Sequence, residues 1–350
     1  MTSAETQDQS EIFNGTATVG FKDTRSADGT DVRAIPAFVF GEELAILAES
    51  DPRIVVLTAD LGRSNRATDF AVRFPDRYVN VGIAEKNMVT VAAGMAAEGL
   101  IPFAATFGSF AALLCAEQIR TDCAYPNLPV RVVGHHSGMS MGFYGTSHHS
   151  LEDLAMMRSI ADLTVVCATD ANHLRSLLKL SLDHPGAMYF RLGRGRDPEV
   201  YARPPALILG QAQTVRDGTD LTIIATGSTV HPSLEAADQL AADGVSVRLL
   251  DMWTVKPLDR QAVIAACRET SAVLTVEEAN LAGGLGSAVA EVIADERLST
   301  RFRRHGVPDE HVPVGPPAAL YAHYRLDSAG IADVARELFH RELVHEDRTA

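Results

Sequence analysis

The sequence is poor in the features that mark secreted and membrane proteins. Its 350 residues include four cysteines, Cys115, Cys123, Cys167 and Cys267, with no CxxC pair. This number and spacing suit neither a disulfide framework nor a zinc site. No apolar run approaches the roughly 18 residues that a membrane-spanning helix needs, and residues 1–14 show no charged-then-apolar export signal. These absences predict a cytoplasmic protein without a membrane-spanning segment.

Positive charge is also scarce. The chain has 31 basic and 45 acidic residues, which give a formal net charge of -14. Binding to nucleic acid or to an anionic membrane requires a basic face that neutralises phosphates. We therefore expect no nucleic-acid partner and no membrane partner, and the acidity itself indicates no more than solubility.

What the sequence does contain is a repeated alternation of short apolar runs and helical patterns. It predicts strands at 54–57, 78–81, 101–105, 130–133, 163–167, 188–192, 221–225, 245–250 and 272–276. Helices are predicted at 84–98, 109–123, 150–159, 171–182, 232–242, 257–267, 285–293 and 331–338. Continuous apolar strands separated by helices are typical of a parallel sheet covered on both faces. The fold class is therefore α/β, with doubly wound parallel sheets.

A polar segment rich in proline, residues 197–205, interrupts this alternation and is interpreted as a linker. Three segments follow from it. Residues 1–32 form a polar N-terminal arm, residues 33–200 form a first α/β domain, and residues 206–341 form a second.

Two groups of residues could carry chemistry. Glu85 follows a glycine turn where a strand meets a helix, the edge at which open α/β sheets bind ligands, although a helix cap explains it equally well. Four histidines fall within fifteen residues in a Gly/Ser-rich loop: His135, His136, His148 and His149. Metal binding is one interpretation, but hydrogen bonding to a polar substrate and proton transfer fit a loop without carboxylates better.

Several ordered motifs then resemble the transketolase family, which uses thiamine diphosphate (ThDP). The resemblance covers about residues 33–341 and rests on motifs at 77–88, 102–110, 134–155, 189–194, 226–228, 277–278, 283–286 and 305–309. It implies a ThDP pyrimidine-binding domain followed by a transketolase C-terminal domain.

The resemblance also implies the cofactor residues. Glu85 matches the catalytic glutamate, which lies beside the pyrimidine ring, shares a proton with it and must be shielded from water. Phe107 and Phe110 match the aromatic residues that hold that ring. Asp60 matches a position near the cofactor, and Ser64 matches a polar position in the channel for the donor sugar.

For the substrate, His136 and His148 match the two histidines that hydrogen-bond the donor sugar and assist proton transfer. Arg194 matches the arginine that meets the sugar phosphate. Phe143-Tyr144 stands where the family usually has Glu-Asp, so Tyr144 either replaces the aspartate that reads a substrate hydroxyl or fills its space. A second phosphate arginine, expected near Ala37, is absent. An unusual sugar phosphate, or a sugar with another anionic group, is therefore expected.

The family's Gly-Asp-Gly…Asn segment, which holds the diphosphate and its divalent cation, is missing from the sequence. We therefore expect a split enzyme in which a separate N-terminal-half subunit holds the diphosphate and carries the Mg²⁺ or Ca²⁺. No metal site is predicted on this chain. Because the family's active site lies between subunits, the expected assembly is two-fold, a heterotetramer with two chains of each kind.

Three functions remain open on the sequence. The first is transfer of a two-carbon ketol unit from a ketose phosphate to an aldose acceptor. The second keeps the cofactor but changes the reaction, as in the beta subunit of a 2-oxoacid dehydrogenase decarboxylase or in deoxyxylulose-phosphate synthase. The third is a non-catalytic scaffold subunit. His136, His148 and the Ser147-His148 step favour the first, while Glu85 and Phe107 argue against the third.

Overall fold

The computed structural model describes residues 36–194 and 197–340. The predicted N-terminal arm, residues 1–32, therefore lies outside the described residues. Within the described ranges the chain forms two β-sheets, one of seven strands and one of five.

The strands are β1 (Ile54–Thr58), β2 (Tyr78–Asn80), β3 (Ile101–Phe107), β4 (Arg131–His135), β5 (Thr164–Cys167), β6 (Met188–Arg191), β7 (Gln213–Arg216), β8 (Leu221–Ala225), β9 (Val247–Asp251), β10 (Thr254–Lys256), β11 (Ala272–Asn280) and β12 (Arg301–Val307). The helices are α1 (Pro36–Ala48), α2 (Ala67–Arg73), α3 (Glu85–Ala97), α4 (Cys115–Gln118), α5 (Asp153–Ser159), α6 (Ala171–Ser181), α7 (Val230–Ala242), α8 (Arg260–Glu269), α9 (Leu285–Asp295), α10 (Pro317–His323) and α11 (Ser328–His340).

The first sheet has the strand order β10-β5-β6-β4-β3-β1-β2, and strands β1 to β6 are parallel. Its side chains alternate between two apolar cores. Val55 and Leu57 pack in one core, while Ile54 and Val56 pack in the other. Since successive residues of a strand point to opposite faces, a strand buried on both faces is apolar throughout. The expected doubly wound sheet is confirmed.

The second sheet has the order β12-β11-β8-β9-β7. Its strands are parallel except β7, which runs antiparallel to β9. The two sheets are joined by strand β10, which follows β9 in the chain but pairs antiparallel with β5 of the first sheet. The second domain thus supplies an edge strand to the first, a connection that a three-residue strand does not reveal in the sequence.

One predicted helix was wrong in its form. Residues 109–123 do not make a regular α-helix, because the short α4 lies between two π-helical segments, Phe110–Leu114 and Ile119–Ala124. A π-helical turn accommodates an additional residue, and such turns recur at functional sites. The pattern also did not predict α1, α2, β7, β10, β12 and α10. Most of these are short, and β12 carries Arg301, Arg303 and Arg304, which hide its strand character.

Candidate active site

The sequence-predicted site residues follow strands whose carboxyl ends lie at one edge of the first sheet. Asp60 follows β1, Phe107 ends β3, His136 follows β4 and Arg194 follows β6. The chain passes from β1 to β2 on one side and then returns to β3 on the other side of β1. In open α/β sheets a crevice for ligands opens at the carboxyl edge where the strand order reverses in this way. Glu85 belongs to the same edge, because it begins the helix that follows β2.

The Glu85 side chain is shielded from water, as its expected role requires. Glu85 is the first residue of α3 and is 8% exposed. Free backbone amides at a helix N-terminus favour a carboxylate there. The thiol of Cys115, on α4, lies close enough that burial and then the Glu85 charge raise the pKa of Cys115 to about 12. The carboxyl group is therefore held in a largely dry position between α3 and α4.

Phe107 is the centre of an aromatic group. Its ring centroid lies 5.5 Å from that of Phe110, 5.1 Å from that of His136 and 5.6 Å from that of His148. Phe110 also contacts His148 at 5.4 Å. Tilted rings at these separations attract each other beyond simple burial. The structure therefore brings together four of the residues predicted separately from two motifs.

His136 has an unusual backbone and is held neutral. Its φ of 56° lies in the left-handed region, where residues other than glycine are uncommon and often functional. Its Nδ1 lies 2.7 Å from Nδ1 of the buried His135, so that one of the two rings donates to the other. Burial, followed by the charge of Arg194, lowers the pKa of His136 to about 3. A neutral imidazole can donate and accept hydrogen bonds near neutral pH.

His148 is reached from the loop that carries Tyr144. Ser147 Oγ lies 2.9 Å from His148 Nδ1, which orients the ring. The Tyr144 ring lies 4.8 Å from the His148 ring. Burial lowers the pKa of His148, so this ring is also neutral near pH 7. Phe143 and Tyr144 are 66% and 63% exposed, and they form an aromatic rim where the family has acidic residues.

The other predicted residues occupy the flanks of this group. Asp60, exposed and with a φ of 61°, accepts a hydrogen bond from Asn80 Nδ2 at 3.2 Å and donates its own amide to Asn80 Oδ1 at 3.0 Å. Ser64 is exposed in the turn before α2. Arg194 is exposed, and its Nη1 lies 3.1 Å from Met141 Sδ. Since β1 and β4 flank β3, Asp60 and Ser64 lie on the opposite side of β3 from the histidines.

Sequence reasoning missed three residues of the site. His135 was noted only as part of a histidine cluster, yet it is buried, contacts Phe107 at 5.0 Å and orients His136. Asn80 positions Asp60, and Cys115 packs near Glu85. The position of Asn80 at the end of a strand, on the same edge as Asp60, was a signal that could have identified it.

Metal clusters and membrane spans are both absent from the described part of the molecule. Among residues 36–194 and 197–340, no group of three or more His, Cys, Asp or Glu side chains is placed to hold a metal ion. No helix in the same ranges is both long and apolar enough to cross a membrane.

Comparison with known proteins decides the family. Residues 37–198 match the transketolase pyrimidine-binding domain, and residues 210–331 match the transketolase C-terminal domain. One of the two chains of the apulose-4-phosphate transketolase of Phocaeicola vulgatus is 38% identical over 299 residues, which are 85% of this chain and 95% of that relative. The chain belongs to the transketolase family. It is the counterpart of one part of a split transketolase, because the alignment runs over nearly the whole of that relative.

Two other similarities refine the placement. A split-gene transketolase, solved as an inactive beta4 tetramer, superposes with a TM-score of 0.81 at 38% identity, covering 87% of this chain and 98% of that one. The 1-deoxy-D-xylulose-5-phosphate synthase 1 of Geobacter sulfurreducens is 39% identical over 308 residues, 86% of this chain but 47% of that enzyme. The chain thus spans about half of the synthase and nearly all of the split-transketolase chain.

The family implies ThDP, and the residues at the sheet edge fit its pyrimidine half. A dry carboxyl group at Glu85 can hydrogen-bond a ring nitrogen, and Phe107, 7% exposed, offers an apolar face for stacking. The donors needed for a diphosphate and the carboxylates needed for its metal are different chemistry, which this group of rings and one carboxyl group does not offer.

Proposed function

We propose that this chain is the pyrimidine-binding subunit of a ThDP-dependent transketolase that moves a two-carbon ketol unit from a ketose phosphate to an aldose acceptor. The observation that carries the proposal is the convergence of Glu85 and the Phe107 group of rings at one sheet edge. A carboxyl group, stacked aromatic rings and neutral imidazoles together suit binding of a heteroaromatic cofactor and transfer of protons on a sugar.

Glu85 and the phenylalanines act on the cofactor. Bound ThDP supplies the electron sink for breaking the carbon–carbon bond beside the ketone. Glu85 shares a proton with the pyrimidine nitrogen from its dry position at the start of α3. Phe107 and Phe110 hold the ring by stacking, and Asp60 lies on the cofactor side of the same edge.

The histidines act on the sugar. His136 and His148 present neutral ring nitrogens that donate to or accept from hydroxyl groups and take part in proton transfer. Arg194 offers a guanidinium group to the sugar's anionic end, and Ser64 a hydroxyl group to the donor channel. Tyr144 contacts the donor from the exposed rim beside His148.

The sugar is expected to differ from the usual transketolase donors. The Phe143-Tyr144 rim has no carboxylate to read a hydroxyl group, so a ketose phosphate with fewer or differently placed hydroxyl groups fits this rim best. A similar sugar with another anionic group is the second choice. The relative from Phocaeicola vulgatus is named for apulose 4-phosphate, which supports a donor outside the usual set.

The partner is a separate N-terminal-half subunit, which binds the diphosphate and carries the divalent cation, Mg²⁺ or Ca²⁺. Large apolar side chains remain exposed beside the site, namely Ile83 at 83%, Leu113 at 48%, Leu114 at 45% and Tyr125 at 89%. Exposed apolar groups around a polar site mark an interaction surface. We propose that the partner and a second copy cover them in a cytoplasmic heterotetramer.

The test is ThDP-dependent ketol transfer by this chain, alone and co-expressed with an N-terminal-half subunit. Xylulose 5-phosphate and a panel of other ketose phosphates serve as donors. Transfer by the pair but not by either chain alone supports the proposal, and the panel ranks the donors. Turnover of pyruvate with release of carbon dioxide, and no transfer, would instead place the chain with the 2-oxoacid or deoxyxylulose-phosphate class. A pair that binds ThDP but turns over none of these would favour a scaffold.

A further inference from the structure

The loop that carries Tyr144 and His148 is closed at its base by a pair of backbone hydrogen bonds. Gly138 N donates to Ser150 O and Ser150 N donates to Gly138 O, each at 3.0 Å. We call residues 138–150 the histidine loop. Because His136 lies two residues before this base and His148 two residues before its end, the position of the base fixes both histidines.

The base of the histidine loop is anchored in the core of the second domain. Met139 and Leu151 are 0% and 4% exposed, and both pack in the apolar cluster formed by β8, β11, α7 and α11. Burying two such side chains contributes about 1.5–3 kcal/mol each to holding the segment in place. The histidine loop is therefore part of the first domain by sequence and of the second domain by packing.

Glu278 provides a polar anchor at the same place. It lies in β11 and is 1% exposed. Its Oε1 accepts a hydrogen bond from Met139 N at 2.6 Å and another from the Tyr321 hydroxyl group. Its Oε2 accepts from Ser228 Oγ at 2.6 Å. A buried carboxylate with three donors is held firmly, because losing any one of them leaves a charged oxygen unpaired.

Gly138 shows how closely the carboxyl group approaches the loop. Its φ of 66° lies in the left-handed region, and a Cβ at this position would lie 2.1 Å from Glu278 Cδ. Glycine is thus required for both the backbone conformation and the close approach. The other end of the base is tied to the same strand by Arg191, which donates to Ser150 O at 3.1 Å and to Glu278 O at 2.7 Å. Asp153 balances the Arg191 charge at 2.8 Å.

We propose that Glu278 is a positioning residue of the enzyme. By holding Met139 N and filling the space beside Gly138, it sets His136 and His148 against the Phe107 ring for binding of the donor sugar. The inference rests on the proposed function, in which these two histidines contact the donor. It assigns the second domain a role in substrate binding that none of its residues performs by direct contact.

The first test uses Glu278→Gln in the complex with the partner subunit. The variant keeps the shape of the side chain but replaces one oxygen by an amide nitrogen, so both amide donors and hydroxyl donors can no longer be accepted as before. We expect the KM for the donor to rise about tenfold, as loss of a charge-assisted hydrogen bond predicts. The affinity for ThDP stays within about twofold of the wild type, because Glu85 and Phe107 lie outside the loop.

Glu277→Gln is the matched control. Glu277 is the neighbouring residue of β11, is 0% exposed and accepts hydrogen bonds from Leu285 N and Gly286 N, both at 2.7 Å, at the start of α9. It has no part in the histidine loop, so its variant lowers Tm but leaves the donor KM unchanged. Tyr321→Phe, which removes one donor and keeps the carboxylate, gives a smaller rise in KM. A donor KM unchanged in Glu278→Gln, or raised equally in Glu277→Gln, would overturn the proposal.

A second test does not depend on turnover. Backbone hydrogen exchange is measured by mass spectrometry in the full chain. In Glu278→Gln exchange quickens in the histidine loop but not in β3, whereas in Glu277→Gln it quickens at the start of α9. Unchanged exchange in the loop of Glu278→Gln would overturn the anchoring even if the complex transfers ketol units. Faster exchange in the loop, in a complex that transfers none, would support the anchoring and count against the proposed function.

Discussion

At the scale of single residues, the site depends on a few side chains held in uncommon conditions. Glu85 is a carboxyl group largely removed from water, and His136 is a buried ring on a left-handed backbone. Tyr144 stands exposed beside His148 where a relative would carry an acid. Each of these conditions costs stability, which is typical of residues kept for function.

Glu85→Gln tests the cofactor residue. The amide keeps the size of the side chain but cannot share a proton, so kcat for ketol transfer by the complex should fall by about 10²–10⁴-fold. Glu98→Gln, an exposed residue at the other end of α3, is the control and keeps wild-type kcat. A Glu85→Gln enzyme with more than about half of the wild-type kcat would contradict the assigned role.

Tyr144 is tested by removing its hydroxyl group and its ring separately. If the ring acts by packing on His148, Tyr144→Phe keeps the donor KM and Tyr144→Ala raises it by up to about tenfold, the value of one aromatic contact. If the hydroxyl group replaces the missing aspartate, both variants raise KM equally. The donor panel measured on the two variants separates the outcomes.

At the scale of elements, the junction between the two sheets depends on strand ends and the linker. Asp251, at the end of β9, accepts hydrogen bonds from Thr169 Oγ1 at 2.5 Å and from the Tyr201 hydroxyl group at 2.8 Å. Tyr201 N in turn donates to Asp170 at 2.7 Å. The segment that the sequence proposes as a linker between domains 33–200 and 206–341 is therefore fastened to both sheets.

Asp251 makes a prediction about pH. Burial raises the pKa of Asp251 to about 7. Between the unfolded value of about 4 and this folded value, the unfolded chain has released the proton while the folded chain still holds it. The free energy of unfolding therefore falls as the pH rises through this window, by on the order of 3 kcal/mol, and levels off above the folded pKa.

The measurement is urea unfolding at pH 5 and at pH 8 for the wild type and two variants. Asp251→Asn removes the titrating group, so its stability falls less between the two pH values than that of the wild type. Asp238→Asn, whose carboxyl group is 70% exposed on α7, keeps the wild-type difference. Equal pH dependence in the wild type and Asp251→Asn would show that Asp251 is ionised in the folded chain throughout.

At the scale of the whole molecule, the surface beside the site is unusually apolar for a chain with a net charge of -14. Ile83 precedes Glu85, and Leu113 lies in the π-helical segment that begins at Phe110. The same short stretches thus carry both the cofactor residues and the exposed apolar residues. A partner that covers these side chains would at the same time close the cofactor site.

Ile83→Asp and Leu113→Asp should weaken assembly with the partner subunit or with a second copy by at least about tenfold, because a charge in the centre of an interface is left without a partner. Ile208→Asp is the control, since Ile208 is 58% exposed but lies in the segment before β7. Sedimentation of the complex measures the effect. Unchanged assembly in both test variants would place the interface elsewhere.

The sequence by itself determined the fold class and most of the parallel strands, because a strand buried on both faces must be apolar throughout. It also identified Glu85, Phe107 and His136 as candidates, because their motifs are local. It did not reveal the edge strand β10 or the π-helical form of 110–124. A three-residue strand has too little periodicity to be recognised, and a π-helical turn depends on packing against α3.

Only the tertiary structure decided which distant residues meet. The rings of Phe107, His136 and His148 come from separate segments, and their centroids approach within 5.6 Å because neighbouring parallel strands end at the same edge. The contact of Glu278 with Met139 joins residues 139 positions apart. No local pattern encodes such a pair, since it forms only when the second domain packs on the first. The sequence therefore determines which chemistry is available, and the packing of the two domains decides where it is placed.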